Sequence, residues 1–454
     1  MFDSIRRSWS RDAVGFRQGE LDDGDGMAAT VVAVIGGPAL VVGATLVAVD
    51  ALTIGQVMLV APVAALLGCF FAGSAARMAA QTGAPGTWIL RPAFGRGGSV
   101  VVSVVRLLMI GLWAVVGLGY AGGWAERAAS ESGLALPVEV WVGVIVLLGL
   151  LMLGLGLETT VKRLIRLPLF AGSVLLVGVL AWVVASRAGS IGGDGGGSFW
   201  AGTQRAIEAA VVFIPYIEAV ARRLRHDEEA MPTFSVSYAV PATLMFAAGA
   251  VLALLFSDIS DLTRLGGAGG PAAIAIAWVV IAEVDQAFAA FVAAGSESVG
   301  IVKTGDTLLV GLVSVGLIVV AAVAAPAVPA DLAFLATSIV FPAMLIASLD
   351  FHLVEESYYP EADIYGRTER AVNLSGFTCW LFAVVFGQLL DPVGPPTWTD
   401  SVDLVALDAD LPWRLIAAVV AGAAYVLIAR WTQHRTTSVY GVRDVSVYGH
   451  RPEG

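Results

Sequence analysis

The chain has 454 residues, of which 57% are hydrophobic and only 14% are charged, and its mean hydropathy is +0.82. A soluble protein uses about 25% charged residues to cover its surface, so a soluble enzyme and a disordered chain are excluded. The net charge of −11 argues against a nucleic-acid partner, because phosphate contacts need clustered Lys and Arg. Cys69 and Cys379 lie far apart in apolar segments, which indicates neither a disulfide framework nor a metal site.

Residues 1–27 are polar, carry both signs of charge and predict a cytoplasmic tail rather than a cleavable signal peptide. After this tail the sequence contains twelve apolar segments of about 20 residues, the length that a helix needs to cross a lipid bilayer. The twelve predicted spans are 28–48, 55–75, 99–123, 138–157, 164–186, 199–221, 234–256, 272–294, 307–325, 332–349, 373–390 and 413–431.

The positive-inside rule orients these spans, because Lys and Arg concentrate in short cytoplasmic loops. If the N-terminus is placed inside, most of the 26 Lys and Arg residues fall on the cytoplasmic side. The sequence therefore predicts a multi-pass protein of the cytoplasmic membrane with both termini inside, and residues 432–454 form a second cytoplasmic tail.

Two of the predicted spans contain helix-breaking residues. Span 1 carries Gly36, Gly37 and Pro38 near its middle, and span 6 carries Pro215. The breaks lie five spans apart, so the two spans cross in opposite directions, which is typical of two inverted five-helix repeats with a substrate and ion site at the breaks. Gly and Pro are also common in ordinary membrane helices, so the pattern alone leaves simple packing open.

Several segments resemble the nucleobase:cation symporter family, in particular its purine and cytosine permease branch. The resemblance lies in 35–44 at the break of span 1, in 91–98 before span 3, in 283–288 of span 8 and in 341–353 of span 10, in the order that the family has. It implies an all-α, LeuT-like fold of five plus five helices. The repeats would be 28–186 and 199–350, followed by two additional spans in 373–431.

The resemblance also implies uptake of a small, flat heterocycle such as a nucleobase, driven by Na⁺ or H⁺, with no other cofactor. A buried planar base needs aromatic faces for stacking and polar side chains for its edge. Trp113 and Phe213 are the expected faces, with ordinary packing as the alternative for both. The expected substrate-binding residues are Gly36, Gly37, Trp113, Phe213, Asp285 and Gln286.

Span 8 departs from the sodium-coupled members of that family, which have Ser or Thr hydroxyls where this chain has Ala282 and Glu283. An intramembrane carboxylate tends to bind a proton, pair with a cation or face water. We therefore expect Glu283 to couple transport to protons, and the alternative is an ion pair with Arg106 or Arg205. Glu283 and Gln286 lie three residues apart and share a helical face.

Other functions are less consistent with the sequence. A membrane enzyme needs convergent catalytic groups and a channel needs a polar stripe, and the spans offer neither. An amino-acid or amine transporter of the same fold remains open. Arg106 is expected to anchor helices, and Asp350 and His352 are expected to serve as an inner gate or helix end. The substrate, the coupling ion and the oligomeric state are left open by the sequence.

Overall fold

The computed structural model describes residues 35–131, 133–155, 178, 198–224, 226–256, 270–302, 307–325, 330–360, 363–364, 371–402 and 411–440. Within these ranges the chain is helical and contains no β-strand. The predicted N-terminal tail and span 5 lie outside the described residues, except for residue 178, and so does the C-terminal tail from residue 441.

Fourteen α-helices, numbered in chain order, make up the described part of the fold. They are α1 Gly36–Ala48, α2 Ile54–Thr82, α3 Gly86–Ile89, α4 Arg91–Glu131, α5 Val138–Leu155, α6 Phe199–Glu208, α7 Ile214–Ala221, α8 Ala230–Phe256, α9 Gly270–Ile301, α10 Thr307–Ala324, α11 Ala330–Leu349, α12 Leu374–Leu390, α13 Pro396–Val402 and α14 Trp413–Tyr440.

Five described stretches are long and apolar enough to cross a membrane. They are Ile54–Thr82, Arg91–Arg127, Asp227–Leu254, Ala330–Val354 and Trp413–Thr432. Large aliphatic side chains on the outside of the bundle are exposed, including Leu66 of α2, Leu148 of α5, Leu317 of α10 and Leu427 of α14. These exposed side chains suit contact with lipid, so the chain is a multi-pass membrane protein.

Helices α2 and α4 extend beyond the spans predicted from hydropathy. A capping box formed by Thr53 and Gln56 starts α2, and Gly83 ends it in the left-handed conformation with φ 64°. The segment between predicted spans 2 and 3 is largely helical: α3 covers Gly86–Ile89, and α4 begins at Arg91 and kinks at Gly95, where φ is 71°. Backbone hydrogen bonds from Gly97 and to Phe94 tie this segment to residues 371–373, so tertiary packing extends the helix.

Span 6 is interrupted where the sequence predicted a break. Helix α6 ends at Glu208, a 3₁₀ turn covers Ala209–Val212, and α7 begins at Ile214. Pro215 lies in the first turn of α7, where the missing N–H removes no helical hydrogen bond. The interruption leaves the two halves of the span as separate short helices.

Helix α1 begins at Gly36, so Pro38 occupies its first turn. Residues 28–34, which the sequence assigns to the same span, lie outside the described part of the chain. Helix α1 packs closely against α8, because a Cβ added to Gly43 would lie only 2.8 Å from the Cα and carbonyl carbon of Phe246. Gly249 of α8 approaches the backbone of Leu40 in the same way.

Candidate functional site

A cavity of about 40 Å³ lies where the interruption of span 6 meets α1, α4 and α9. Its wall is largely apolar and aromatic, with two polar side chains. The lining residues are Pro38, Ile110, Trp113, Ala114, Val212, Phe213, Tyr216, Gln286, Ala289, Ala290 and Ala293. Three of the residues predicted to bind substrate, Trp113, Phe213 and Gln286, therefore lie on one cavity wall.

Trp113 is held in a fixed orientation on α4. Its Nε1–H donates to Oγ1 of Thr337 on α11 over 2.8 Å. Its ring packs edge-on against Phe334, with the ring centroids 5.2 Å apart. Because the indole N–H is already used, Trp113 can offer a ligand the face of its ring but no hydrogen bond.

Phe213 lies between the 3₁₀ turn and α7, and Tyr216 follows it by three residues on the same helical face. Sequence reasoning missed Tyr216. The i, i+3 spacing from Phe213 is a signal that identifies it. The phenol adds a polar group to the part of the wall that the sequence predicted to be aromatic only.

Gln286 is the amide of the cavity wall, and its Oε1 has no hydrogen-bond partner among the described residues. Glu283 lies one turn earlier on α9 and is 1% exposed. A Cβ on Gly117 of α4 would lie 3.1 Å from Oε2 of Glu283 and 3.2 Å from Nε2 of Gln286. The two side chains thus share a face of α9, as predicted, and both point at the same glycine.

The three other predicted substrate-binding residues are not among the residues that line the cavity. Asp285 is buried on α9 but does not line the cavity. Gly36 and Gly37 form the start of α1, immediately before the cavity residue Pro38. Their roles in substrate binding remain predictions.

The alternative that Glu283 pairs with Arg106 or Arg205 is wrong. Arg106 of α4 is instead bonded to Glu218 of α7, and its Nε lies 3.7 Å from Oε1 of Glu297 on α9. Arg205 of α6 is bonded to Asp50, with Nε 3.1 Å from Oδ2. The pairings could not be read from the sequence, because residues on several helices compete for each arginine. Arg106 does anchor helices, as expected.

A second set of ion pairs surrounds α6. Arg414 at the start of α14 bonds Glu208 over 3.0 Å and Asp391 over 3.1 Å. The guanidinium of Arg205 also lies 5.0 Å from the ring of Phe334, the neighbour of Trp113. Asp50 is largely buried, and this burial raises its pKa even though Arg205 acts in the opposite direction.

Asp350 and His352 both lie in a π-helical turn that ends α11. The carboxylate of Asp350 accepts hydrogen bonds from Tyr359 over 2.9 Å and from Tyr425 of α14 over 2.5 Å. His352 bonds to Ser74 of α2 through Nε2, over 2.9 Å. These contacts join α2, α11 and α14, in agreement with the expected helix-end role.

No protein-family model matches the sequence, and no curated protein matches it. Solved structures do match. One is Mhp1, a nucleobase-cation-symport-1 family transporter in a closed conformation with bromovinylhydantoin bound; the TM-score is 0.68 with 15% identity over 94% of this chain and 95% of that one. Inward-facing Mhp1 gives 0.63 with 17% identity, over 92% and 93% of the two chains.

A manganese transporter from Eremococcus coleocola matches with a TM-score of 0.51 and 11% identity, over 90% of this chain and 93% of that one. At these identities the matches establish a shared fold. This chain therefore has the fold of membrane transporters over nearly its whole length.

Proposed function

We propose that this chain is a secondary active transporter that imports a nucleobase or a related flat heterocycle by cation symport. The observation that carries the proposal is the cavity at the interruption of span 6, where Trp113, Phe213 and Gln286 converge. Two aromatic rings suit a planar ligand, and the amide suits the donors and acceptors along its edge. The shared fold with Mhp1, whose structure contains bromovinylhydantoin, supports the same substrate class.

The size of the cavity fits a closed step of an alternating-access cycle. Its volume of about 40 Å³ is far below the several hundred Å³ of pockets that enclose a whole ligand. A heterocycle therefore enters only when the helices around the cavity move apart. The short helices α6 and α7 provide such movable parts, since the interruption uncouples one from the other.

The proposed architecture is twelve spans in two inverted repeats of five, 28–186 and 199–350, with two additional spans and both termini in the cytoplasm. The interruption of span 6 and the start of α1 at Gly36 support the repeat. Under this orientation, the end of α1 at Ala48 and the Arg414 ion pairs face outward. The Arg106 ion pairs then lie toward the cytoplasm.

Glu283 is our candidate for coupling transport to protons. It is buried in the bilayer region, lies one turn from the cavity residue Gln286 and has an Oε1 without a hydrogen-bond partner among the described residues. The two arginines considered as its partners, Arg106 and Arg205, are bonded to other carboxylates. An uncompensated carboxylate in this position favours the protonated form when closed and can release the proton when water enters.

A manganese substrate is less consistent with the side chains. Among the residues that the structure describes, no group of three His, Cys, Asp or Glu side chains is placed to hold a metal ion. The cavity wall is aromatic and aliphatic apart from one amide and one phenol. Hard divalent cations need several oxygen ligands, which this wall does not supply.

Uptake into proteoliposomes tests the proposal. A panel of nucleobases, hydantoins, amino acids and amines is offered under a pH gradient or a Na⁺ gradient. We expect uptake of a flat heterocycle driven by the pH gradient, reduced at low substrate concentration in Gln286→Leu and uncoupled from protons in Glu283→Gln. Glu139→Gln, at an exposed position on α5, is the matched control. Uptake of amino acids alone would refute the substrate class, and Na⁺-driven uptake undiminished in Glu283→Gln would refute the coupling role.

A further inference from the structure

We propose that Arg106, Glu218 and Glu297 form a second proton-binding site, on the cytoplasmic side of the cavity, whose proton holds the inner ends of α4, α7 and α9 together. We call these three residues the inner triad. The coupling of the triad to transport rests on the proposed function, whereas the binding of a proton there does not.

The inner triad is fully enclosed. Arg106 is 0% exposed, Glu218 is 2% exposed and Glu297 is 1% exposed. The backbone also closes over it, because a Cβ added to Gly86 of α3 would lie within 3.0 Å of all three charged groups. Thr87, the next residue, donates its hydroxyl to Oε1 of Glu297 over 3.3 Å. No room remains for a hydrated ion.

The charges of the triad do not balance. One guanidinium faces two carboxylates, so the ionised triad carries a net charge of −1 inside the protein. Oε1 of Glu218 is buried and has no hydrogen-bond partner among the described residues. An isolated buried negative charge is costly, and one added proton removes it.

A proton suits this site better than a metal cation. It forms an O–H bond to one carboxylate oxygen, occupies no coordination sphere and needs no space beside the guanidinium. A sodium ion would need several oxygen ligands and would lie next to the positive charge of Arg106. The proton is taken from water when the triad closes and returns to water when the triad opens.

The triad lies on α4, α7 and α9, which also contribute residues to the cavity. Along α4, Arg106 is seven residues from Trp113, about 10 Å at 1.5 Å per residue. Along α9, Glu297 is eleven residues from Gln286, about 16 Å. On α7, Glu218 is only two residues from Tyr216. An inward opening of the cavity requires α7 to leave α4 and α9, and this movement would expose the triad to water.

Burial determines whether proton binding by the triad favours the closed or the open inner side. In the closed arrangement the second negative charge is desolvated, so the protonated triad is favoured. When α7 moves away, water stabilises both carboxylates and the proton dissociates into the cytoplasm. A lower pH therefore favours closure of the inner side, and a higher pH favours its opening.

Infrared spectroscopy of the purified full-length protein can count protonated carboxyl groups without any substrate. The wild type should show a protonated group at neutral pH, distinct from the one proposed at Glu283, that disappears in Glu218→Gln and equally in Glu297→Gln, because either change balances Arg106 with one carboxylate. Arg106→Gln should instead gain one protonated group. Glu283→Gln and Glu139→Gln should retain the triad signal. An unchanged signal in both triad Glu variants, or loss of the signal on adding Na⁺ at constant pH, would overturn the proposal.

A measurement on the wild type alone covers the case in which the variants do not fold. Amide hydrogen exchange of residues 214–221, corrected for the intrinsic effect of pH, should rise over the same pH range in which the triad signal disappears. Exchange that rises without loss of the signal would overturn the proposal. A protein that has the triad signal but transports no heterocycle would refute the proposed function and leave the proton site intact.

Discussion

Helix α1 contributes Pro38 to the cavity and packs against α8 at Gly43, and this contact predicts the effect of a substitution there. Helices α1 and α8 meet backbone to backbone, and a methyl group on Gly43 would lie 2.8 Å from both the Cα and the carbonyl carbon of Phe246. Ordinary van der Waals contact begins at about 3.4 Å, so Gly43→Ala forces the helices apart by at least about 0.6 Å. The obstructing atoms are backbone atoms, which cannot rotate away as a side chain can.

The expected cost is at the upper end of the range for overpacking. Inserting a methyl group into a well-packed core destabilises a protein by about 1–3 kcal/mol. Alanine also lowers the flexibility of the unfolded chain, which returns about 0.5–1 kcal/mol. Gly43→Ala should therefore lower the free energy of unfolding by about 2–2.5 kcal/mol and, since Pro38 is five residues away on the same helix, weaken substrate binding too.

Gly143→Ala on α5 is the matched control, because nothing lies within 4 Å of the added methyl group. It should stabilise the helix by about 0.5–1 kcal/mol. The apparent midpoint of denaturant unfolding in detergent distinguishes the two variants. If Gly43→Ala unfolds at or above the wild-type midpoint, α1 and α8 are not in the contact that the structure describes.

Three further predictions concern the cavity and the ion pairs of Arg205 and Arg414 around α6. Gln286→Leu removes the amide of the cavity and should raise the substrate Kd by about 10–100-fold, measured by calorimetry, because an unpaired ligand group costs about 1–3 kcal/mol. Arg414→Gln leaves Glu208 buried without its cation and should lower the unfolding free energy by about 3–5 kcal/mol, whereas adding Glu208→Gln should restore part of it. Burial raises the pKa of Asp50 above its ordinary value of 3.8, so the folded protein binds this proton more tightly than the unfolded chain does. Protonation of Asp50 therefore adds to the free energy of unfolding, and this contribution is lost as the pH rises through the folded-state pKa. The stability of the wild type relative to Asp50→Asn should therefore fall as pH increases above about 4; a difference that grows with pH would contradict the burial of Asp50.

The sequence was most informative where a local rule applied. Proline and glycine chemistry predicted the interruption of span 6 near Pro215, and helical spacing predicted that Glu283 and Gln286 share a face. Hydropathy located the apolar cores of the described spans but ended α2 too early, at residue 75 instead of 82, and began α4 too late, at residue 99 instead of 91. Both helices continue beyond these apolar cores, and α4 does so where its first turns bond to residues 371–373, a contact that a window of apolar residues cannot detect.

The partners in the buried ion pairs could not be predicted from local sequence rules. Arg106 bonds a carboxylate 112 residues away in the chain, and Arg414 bonds one 206 residues away. Each buried arginine had several acidic residues in other spans as candidates, and only the packing of the helices selects among them. The alternative that paired Glu283 with Arg106 or Arg205 failed for this reason. The same packing surrounded Arg106 with two carboxylates, an imbalance that no local pattern in the sequence indicates.

The two halves of span 6 are held by different partners, and this arrangement suits alternating access. Helix α6 is tied by Arg205 to Asp50 and by Glu208 to Arg414, whereas α7 is tied by Glu218 to Arg106. A continuous helix would transmit the loss of either set of bonds to the other end. The 3₁₀ turn at Ala209–Val212 instead allows one half to move while the other stays in place. The cavity lies at this turn, so under the proposed function the opening of either half would give the ligand access from one side only, which is the condition that a symporter must meet.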